Sequence, residues 1–363
     1  MLIITIISQA LLYLCLSLCI GTFMFSLVPN IKRPKITVSK SVLLVALGGI
    51  LIFSFLPVLQ VILFLSTRMA FIDSVQSVLF TFEIGKAWGL TLLITLICSL
   101  FVFIFDYNEK RRYGYIGVFL SFLIILSIAW SSHPSSIEPL WGFISDSMHV
   151  LAVSIWVGIL IIVSWLSSNH DNWLKFLNWF TPLAFLCFGV TIISGLLLMN
   201  YVVNYEDYIN SWMIPYGQAL LLKHLFIIPL IIFAIVNSIF IRRKLKHGAS
   251  FNPKPWAKAE SIIILMIFSA TAALSQQSPP KETIISAETI SPTFSMFYSE
   301  DVHADLNIQL SFNFTSSLLL LLSILFFVLI VLSFIKKVPA ALSLLVCILF
   351  VFCIYLSFMT GVA

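Results

Sequence analysis

Ten long runs of apolar residues constrain this chain more than any other feature. A helix needs about 20 apolar residues to cross a hydrocarbon layer about 30 Å thick, because each residue adds about 1.5 Å. Backbone polar groups in lipid must be satisfied within their own segment, so each run is predicted to be helical. The expected fold is an all-α polytopic transmembrane helix bundle of about ten helices, with these approximate spans: 2–28, 41–65, 86–105, 115–130, 144–166, 179–201, 217–241, 259–276, 315–335 and 339–360.

Composition excludes the soluble globular class. Hydrophobic residues make up 60% of the 363 residues and charged residues only 10%, whereas soluble domains carry about 25% charged residues. The first run, 2–28, has no charged leading segment and is longer than a signal-peptide core, so we expect a retained helix. The six cysteines lie within apolar runs, which predicts no disulfide framework. Cys15 and Cys19 share one helical face, a spacing that fits either a soft metal or close packing.

The distribution of Lys and Arg orients the predicted helices. Basic residues concentrate in cytoplasmic loops of membrane proteins, which makes the loops that carry them cytoplasmic and both termini extracytoplasmic. The lipid bilayer is therefore an expected partner, and the basic loop 242–258 does not indicate nucleic-acid binding. All but four of the 20 basic residues fall in alternate loops, namely Lys32, Arg33, Lys35, Lys40, Lys110, Arg111, Arg112, Lys175, Arg242, Arg243, Lys244, Lys246, Lys254, Lys258, Lys336 and Lys337.

In the same predicted orientation, several histidines lie on the extracytoplasmic side of the membrane. His133, His149 and His303 fall there, and His224 lies about two turns into a helix that starts outside. An ionisable residue kept in or at the end of a membrane helix is a functional-site hypothesis, because hydrocarbon offers it no water. The turn-rich link before His149 is only about a dozen residues long, so we expect His133 to lie near it.

His149 shares one face of a predicted helix with other chemically distinctive residues. Asp146 and Trp156 lie three and seven residues from it, so all three share one helical face, with Met148 beside it. In the functional interpretation, Asp146 supports the imidazole by hydrogen bonding. In the alternative, Asp146 caps the helix, Trp156 packs and His149 is a satisfied polar residue.

Composition separates an extracytoplasmic loop, 281–314, from the apolar runs before it and from a C-terminal helix pair, 315–363. In the loop, polar and apolar residues alternate from His303 to Asn313, which predicts a short strand-like flap with His303 and Asp305 on one face. The alternative is a hydrophilic flap that covers helix ends.

Catalytic motifs are missing from the sequence. It has no phosphate-binding glycine loop, nucleophile elbow or Cys-x-x-Cys motif, which predicts that the protein is not an enzyme. Lys223 lies within a membrane helix, where an ammonium group is costly, so it needs a partner or must extend to the interface. We expect its role to be structural.

The order of these residues resembles the copper-resistance D (CopD) family of bacterial integral membrane proteins. The resemblance is strongest over about 115–280, and residues 1–114 resemble the N-terminal half of the same architecture. Each motif alone is weak, but their order across four consecutive helices is specific. The residues that carry it are His133, Asp146-x-x-His149-x-x-Ala152-x-x-x-Trp156-Val157-Gly158, Ser194-Gly195, Tyr216-Gly217 through Lys223, Asn237 and Ala259-Glu260.

The resemblance implies a protein of the bacterial cell membrane that handles copper, in uptake or homeostasis. Cu(I) favours thioether and imidazole ligands, and Cu(II) favours imidazole with carboxylate. The expected ligands are therefore His133, His149, Met148 and His303. Some relatives are fused to a periplasmic-type copper-binding domain, so an extracytoplasmic copper-binding protein is a further partner that the resemblance raises.

A second class of function also fits the sequence. His149 and His224 lie on different helices at similar predicted depth, and histidine pairs on facing helices ligate haem in membrane electron-transfer proteins. Copper transport, by contrast, predicts a path of polar or Met residues across the membrane. The linear sequence shows no such path, because the Met residues outside the His149 stripe are scattered.

Overall fold

The computed structural model describes residues 2–247, 251–286, 288–298 and 307–362. It is an all-α membrane protein, as predicted. The helices are α1 (Leu2–Ser26), α2 (Lys40–Leu65), α3 (Phe71–Phe80), α4 (Glu83–Ile104), α5 (Arg111–Trp130), α6 (His133–Ile137), α7 (Trp141–Ile161), α8 (Trp173–Val202), α9 (Pro215–Ile235), α10 (Ile241–Lys246), α11 (Lys254–Leu274), α12 (Pro292–Ser295), α13 (Phe314–Ile335) and α14 (Ala340–Thr360).

Ten helical segments of the described chain are long and apolar enough to cross a membrane. They coincide with the ten predicted runs, which confirms a multi-pass membrane protein. Two of them continue through short π-helical segments, Ile162–Leu166 after α7 and Val236–Phe240 between α9 and α10. Helix α8 begins at Trp173, six residues earlier than expected, so its first turn includes Lys175.

Local sequence determines several helix starts. The Ser39 side chain accepts a hydrogen bond from the Val42 amide at the start of α2, and Asn313 accepts one from Ser316 at the start of α13. Such caps satisfy amides that have no partner within the helix. Pro215 occupies the first position of α9, where its missing N–H costs nothing.

The chain forms two compact units, Met1–Tyr201 and Val202–Ala363. In the first unit, α1 packs against α2, α5 and α7. Helices α1 and α7 approach so closely that a Cβ atom built on Gly158 would lie 1.9 Å from the Ser17 carbonyl oxygen, and one on Gly21 would lie 2.5 Å from the Gly158 carbonyl carbon. This crossing therefore requires glycine on both helices.

Helix α3 is an element that the sequence analysis did not predict. Its buried face contains Ser74 and Val78, and Val78 packs with Val58 and Ile62 of α2. Phe80 on the opposite face is 76% exposed. Ten residues are too few to cross the bilayer, so α3 is an amphipathic helix suited to the membrane interface.

In the second unit, α13 and α14 form a helical pair, and α9 packs against α11 and α14. Gln218 of α9 connects these parts by donating to the Trp212 carbonyl oxygen and accepting a hydrogen bond from the Tyr355 hydroxyl. On α11, Glu260 is only 3% exposed and accepts a 2.6 Å hydrogen bond from Asn237. Asn237 therefore joins the π-helical segment after α9 to α11 by a side-chain hydrogen bond.

The predicted strand from His303 to Asn313 is not present in its described part. Residues 301–306, including His303 and Asp305, lie outside the described residues. Leu310 forms one isolated antiparallel bridge with Val362, and the Ile308 amide donates to the Asn210 side chain. The alternation of polar and apolar residues wrongly predicted a strand in this segment. Its described residues contact Val362, just after α14, and the Asn210 side chain, and not a neighbouring strand.

The predicted orientation gives one direct test. Ten spans would bring residues 2 and 362 to the same side of the membrane, which the basic loops predict to be the outer side. A reporter fused after residue 363 should be active outside the cytoplasm, and the same reporter in the basic loop after His247 should be active inside. The reverse pattern would show that the predicted orientation is wrong.

Candidate copper site

His149 lies in the third turn of α7 and packs against α8. Its Nδ1 atom is 3.1 Å from the Ser194 hydroxyl, and the side chain is half-buried. Gly195 makes this approach possible, because a Cβ atom there would lie 3.3 Å from the His149 Cε1 atom. Ser194 and Gly195 belong to the motif order given above, but the sequence did not reveal that they contact His149.

The Ser194 hydroxyl lies between the His149 imidazole and the backbone of its own helix. It lies 2.6 Å from the Val190 carbonyl oxygen, and when it donates its proton there it accepts from the Nδ1–H group of His149. In that arrangement Nδ1 carries the proton and Nε2 carries the lone pair. A neutral imidazole that is oriented through Nδ1 and presents Nε2 is the form in which histidine ligates metals.

Trp156 faces α8 as His149 does. It is buried, and its ring makes an edge-to-face contact with Phe188 at 5.8 Å between ring centroids. The shared face that the seven-residue spacing predicts is therefore present. Asp146 is half-buried one turn before His149, whereas Met148 is 44% exposed on the adjacent face.

His133 begins the short helix α6, which is fastened to the helices on both sides of it. The Ser135 hydroxyl donates to the Ala129 carbonyl oxygen at 2.6 Å. A Cβ atom on Gly142 would lie 2.0 Å from the Pro134 carbonyl oxygen, so α6 sits directly against the first turn of α7. His133 is exposed there, at the end of α7 from which Asp146 and His149 follow.

No group of three or more His, Cys, Asp or Glu side chains in the described parts of the chain could hold a metal ion. His303, the other predicted ligand, lies outside the described residues.

The second unit contains His224, whose partner the sequence analysis did not identify. Its Nδ1 atom lies 2.7 Å from the Tyr208 hydroxyl, and the two rings are 5.5 Å apart. Burial raises the pKa of Tyr208 to about 12, so its hydroxyl stays protonated at neutral pH. Tyr208 lies in the aromatic-rich segment between α8 and α9, just before the helix that carries His224, so a polar partner for His224 could have been sought there.

Lys223 is half-buried beside His224. We predict that Lys223→Met lowers the yield or the melting temperature of the protein while each folded molecule binds as much copper as before, as we expect if this ammonium group stabilises the fold and does not bind the metal. Lys336→Met, on an exposed lysine of the same unit, is the matched control. Loss of copper from well-folded Lys223→Met protein would instead place the lysine in the site.

Comparisons with known proteins support the family resemblance that the order of motifs indicates. Residues 1–143 match the family model of the copper resistance protein D-like N-terminal domain, and residues 174–274 match the model of copper resistance protein D. His133 lies in the first match, and Ser194 and Lys223 lie in the second. His149 falls in the interval between them.

One curated relative is the "Copper transport protein CutJ" of Bacillus subtilis (strain 168), which is 27% identical over 220 residues. That alignment covers 57% of this chain and 39% of the relative, so the chain spans well under half of that protein. No solved structure matches the chain at a significant level. The two family matches, on a chain with ten membrane spans, show that this protein belongs to the copper resistance protein D family.

Proposed function

We propose that this protein takes part in copper uptake or copper homeostasis across the cytoplasmic membrane, with copper as its cargo and not as a catalytic centre. The observation that carries the proposal is the 3.1 Å contact between the Ser194 hydroxyl and Nδ1 of His149, an arrangement in which the imidazole would bind a metal through Nε2. The family matches and the name of the Bacillus relative support copper as the metal.

The proposed entry site is at the predicted outer end of α7. His149 ligates Cu(I) through Nε2, His133 provides the second imidazole, and Met148 completes the set. His149 lies seven residues beyond Gly142, roughly 10 Å along the helix axis from the level of α6. Helical side chains tilt toward the N-terminus of their helix, which here shortens the gap between His149 and His133.

Copper could reach this site directly or from an extracytoplasmic copper-binding protein. His133 is exposed and Met148 is 44% exposed, so both are accessible to a donor. Ligand exchange from such a donor would begin at these two residues and end at the half-buried His149.

Transport in proteoliposomes tests the proposed function. Purified protein is reconstituted into vesicles that contain a copper-sensitive fluorophore, and Cu(I) is added outside. We expect protein-dependent copper entry that His149→Ala removes and that His170→Ala, at an exposed histidine in a loop of the same unit, leaves unchanged. If copper enters vesicles with the wild type, with His149→Ala and with His170→Ala at the same rate as it enters empty vesicles, the proposal is contradicted.

A further inference from the structure

A carboxylic acid is buried within a membrane-spanning helix of the second unit. Glu260 lies in α11, six residues after Lys254, so it is roughly 9 Å along the axis from the first residue of that helix. Its side chain is only 3% exposed. The basic residues before it predict that this end of α11 is cytoplasmic. An ionisable residue kept at such a depth indicates a function, because hydrocarbon offers it no water.

The hydrogen-bond partner of Glu260 is a neutral side chain. The Asn237 amide donates to Oε2 of Glu260 at 2.6 Å, and its nitrogen also lies 3.2 Å from the Trp256 carbonyl oxygen. Asn237 therefore fixes the position of one carboxyl oxygen and supplies no positive charge. Oε2 accepts this bond whether the carboxyl is ionised or protonated, so Oε1 can gain or lose a proton while the bond to Asn237 is kept.

An irregular segment of the chain presents Asn237 to Glu260. Val236–Phe240 is π-helical and lies between α9 and α10. Such segments are rare within α-helices and frequently occur at functional sites. The buried acid and the π-helical segment are two separate features of the second unit, and a hydrogen bond joins them.

Several ionisable groups lie on the elements that surround Glu260. Helix α11 packs against α9 and α14, and a ring contact joins it to α13. Lys223 and His224 of α9 precede Asn237 by 14 and 13 residues, which places them roughly 20 Å away along that helix. Among the described residues, the Glu260 carboxyl accepts its hydrogen bond from Asn237 and not from a cation. The other ionisable residues of these helices, of α10 and of their ends are Tyr216, Arg242, Arg243, Lys244, Lys246, Lys254, Lys258, Lys336, Lys337, Cys347, Cys353 and Tyr355.

A purely structural role in joining two helices does not require an acid. Glutamine at position 260 would offer Asn237 the same acceptor oxygen without an ionisable group. Burying a carboxylate is costly unless a cation is paired with it, whereas the protonated acid is neutral. The acid therefore gives this position one property that an amide lacks, which is reversible protonation inside the membrane.

We propose that Glu260 is a proton-binding site within the membrane, and that it exchanges a proton with the predicted cytoplasmic side during copper transport. This inference rests on the proposed function and deepens it, since it adds a second ion to the movement of copper. An O–H bond forms at Oε1 when a proton arrives from water, and the bond breaks when the proton returns to water. No electron is transferred. Protonation changes the electrostatic cost of burying Glu260 and so biases the contact between the π-helical segment and α11.

Infrared difference spectra between low and high pH, recorded on purified full-length protein, test for the proton-binding site. We expect the wild type to show a high-frequency carboxyl C=O component, typical of apolar surroundings, that Glu260→Gln lacks. Glu206→Gln, at an exposed acid of the same unit, is the matched control and should keep it. Asn237→Ala should move the component to higher frequency, because the carbonyl oxygen loses its hydrogen bond. Identical spectra from the wild type and Glu260→Gln would overturn the proposal.

A chemical measurement on the wild type decides the matter if Glu260→Gln does not fold. Dicyclohexylcarbodiimide modifies protonated carboxyl groups in apolar surroundings, and mass spectrometry of the digested protein locates the modified residue. We expect modification at Glu260 and not at the exposed Glu206. A Glu260 that stays unmodified would overturn the proposal.

Proteoliposomes that contain a pH-sensitive fluorophore test the coupling to copper. Potassium and valinomycin clamp the membrane potential, so that copper entry does not itself drive proton leakage. We expect copper-dependent changes of luminal pH with the wild type and Glu206→Gln, and none with Glu260→Gln. Copper entry without a pH change in the wild type, or an equal change with Glu260→Gln, would overturn the coupling and leave the proposed function intact. A titrating Glu260 in protein that transports no copper would contradict the proposed function instead.

Discussion

Purified His149→Ala protein should bind Cu(I) at the outer site at least about 100-fold more weakly than the wild type, because the variant lacks the imidazole that Ser194 positions. His133→Ala should weaken the same site. Ser194→Ala, which removes the hydroxyl 3.1 Å from Nδ1 of His149, should weaken copper binding about 10–100-fold, the usual effect of changing a group that supports a ligand. His170→Ala should bind as the wild type does, since this histidine is exposed in a loop.

Competition with a Cu(I) chelator of known affinity measures these differences. The variants are compared only after size-exclusion chromatography shows equal monodispersity, so that misfolding is not mistaken for ligand loss. If His133→Ala and His149→Ala both keep the wild-type stoichiometry and affinity, the two histidines share no copper ion. His149 would then be a satisfied packing residue held by Ser194.

Replacing Gly158 with leucine should prevent the first unit from folding. A Cβ atom at this position would lie 1.9 Å from the Ser17 carbonyl oxygen and 3.0 Å from the Gly21 Cα atom. Both neighbours are backbone atoms, so relief requires α1 and α7 to separate. Adding methylene groups to a packed core typically lowers the free energy of unfolding by about 1–3 kcal/mol. Separation of α1 and α7 would lower it further, because packing contacts between the two helices would be lost.

The matched control is Gly89→Leu on α4, where a Cβ atom would meet nothing within 4 Å. We expect normal yield from Gly89→Leu and little or no monodisperse protein from Gly158→Leu. Fluorescence-detected size-exclusion chromatography of both variants measures this directly. Equal yield and equal melting temperature would show that α1 and α7 do not cross at Gly21 and Gly158.

The helices could be predicted from sequence because bilayer thickness fixes their length. Every apolar run of sufficient length became a span, and even Lys175 and Lys223 did not interrupt one. Helix α3 was missed for the same reason, because its ten residues lie below the length criterion. The strand at residues 303–313 was a wrong prediction in its described part, since alternation alone cannot provide a pairing partner.

Only the part of the candidate site that lies on α7 could be predicted from the sequence. Spacing correctly placed His149 and Trp156 on one face of α7. The partners of that face depend on which helices are neighbours in the bundle, and this information is not local in sequence. Ser194 beside His149 and Tyr208 beside His224 are both contacts of this kind.

Metal analysis and an optical spectrum of the same wild-type sample, purified from copper-supplemented cells, test the central claim most directly. A copper-handling protein should contain copper at a stoichiometric level and show no haem Soret band. The alternative of haem held by histidines would give a Soret band without copper. Stoichiometric copper without a Soret band is the result that we predict, and a Soret band without copper, or a sample with neither, would contradict it.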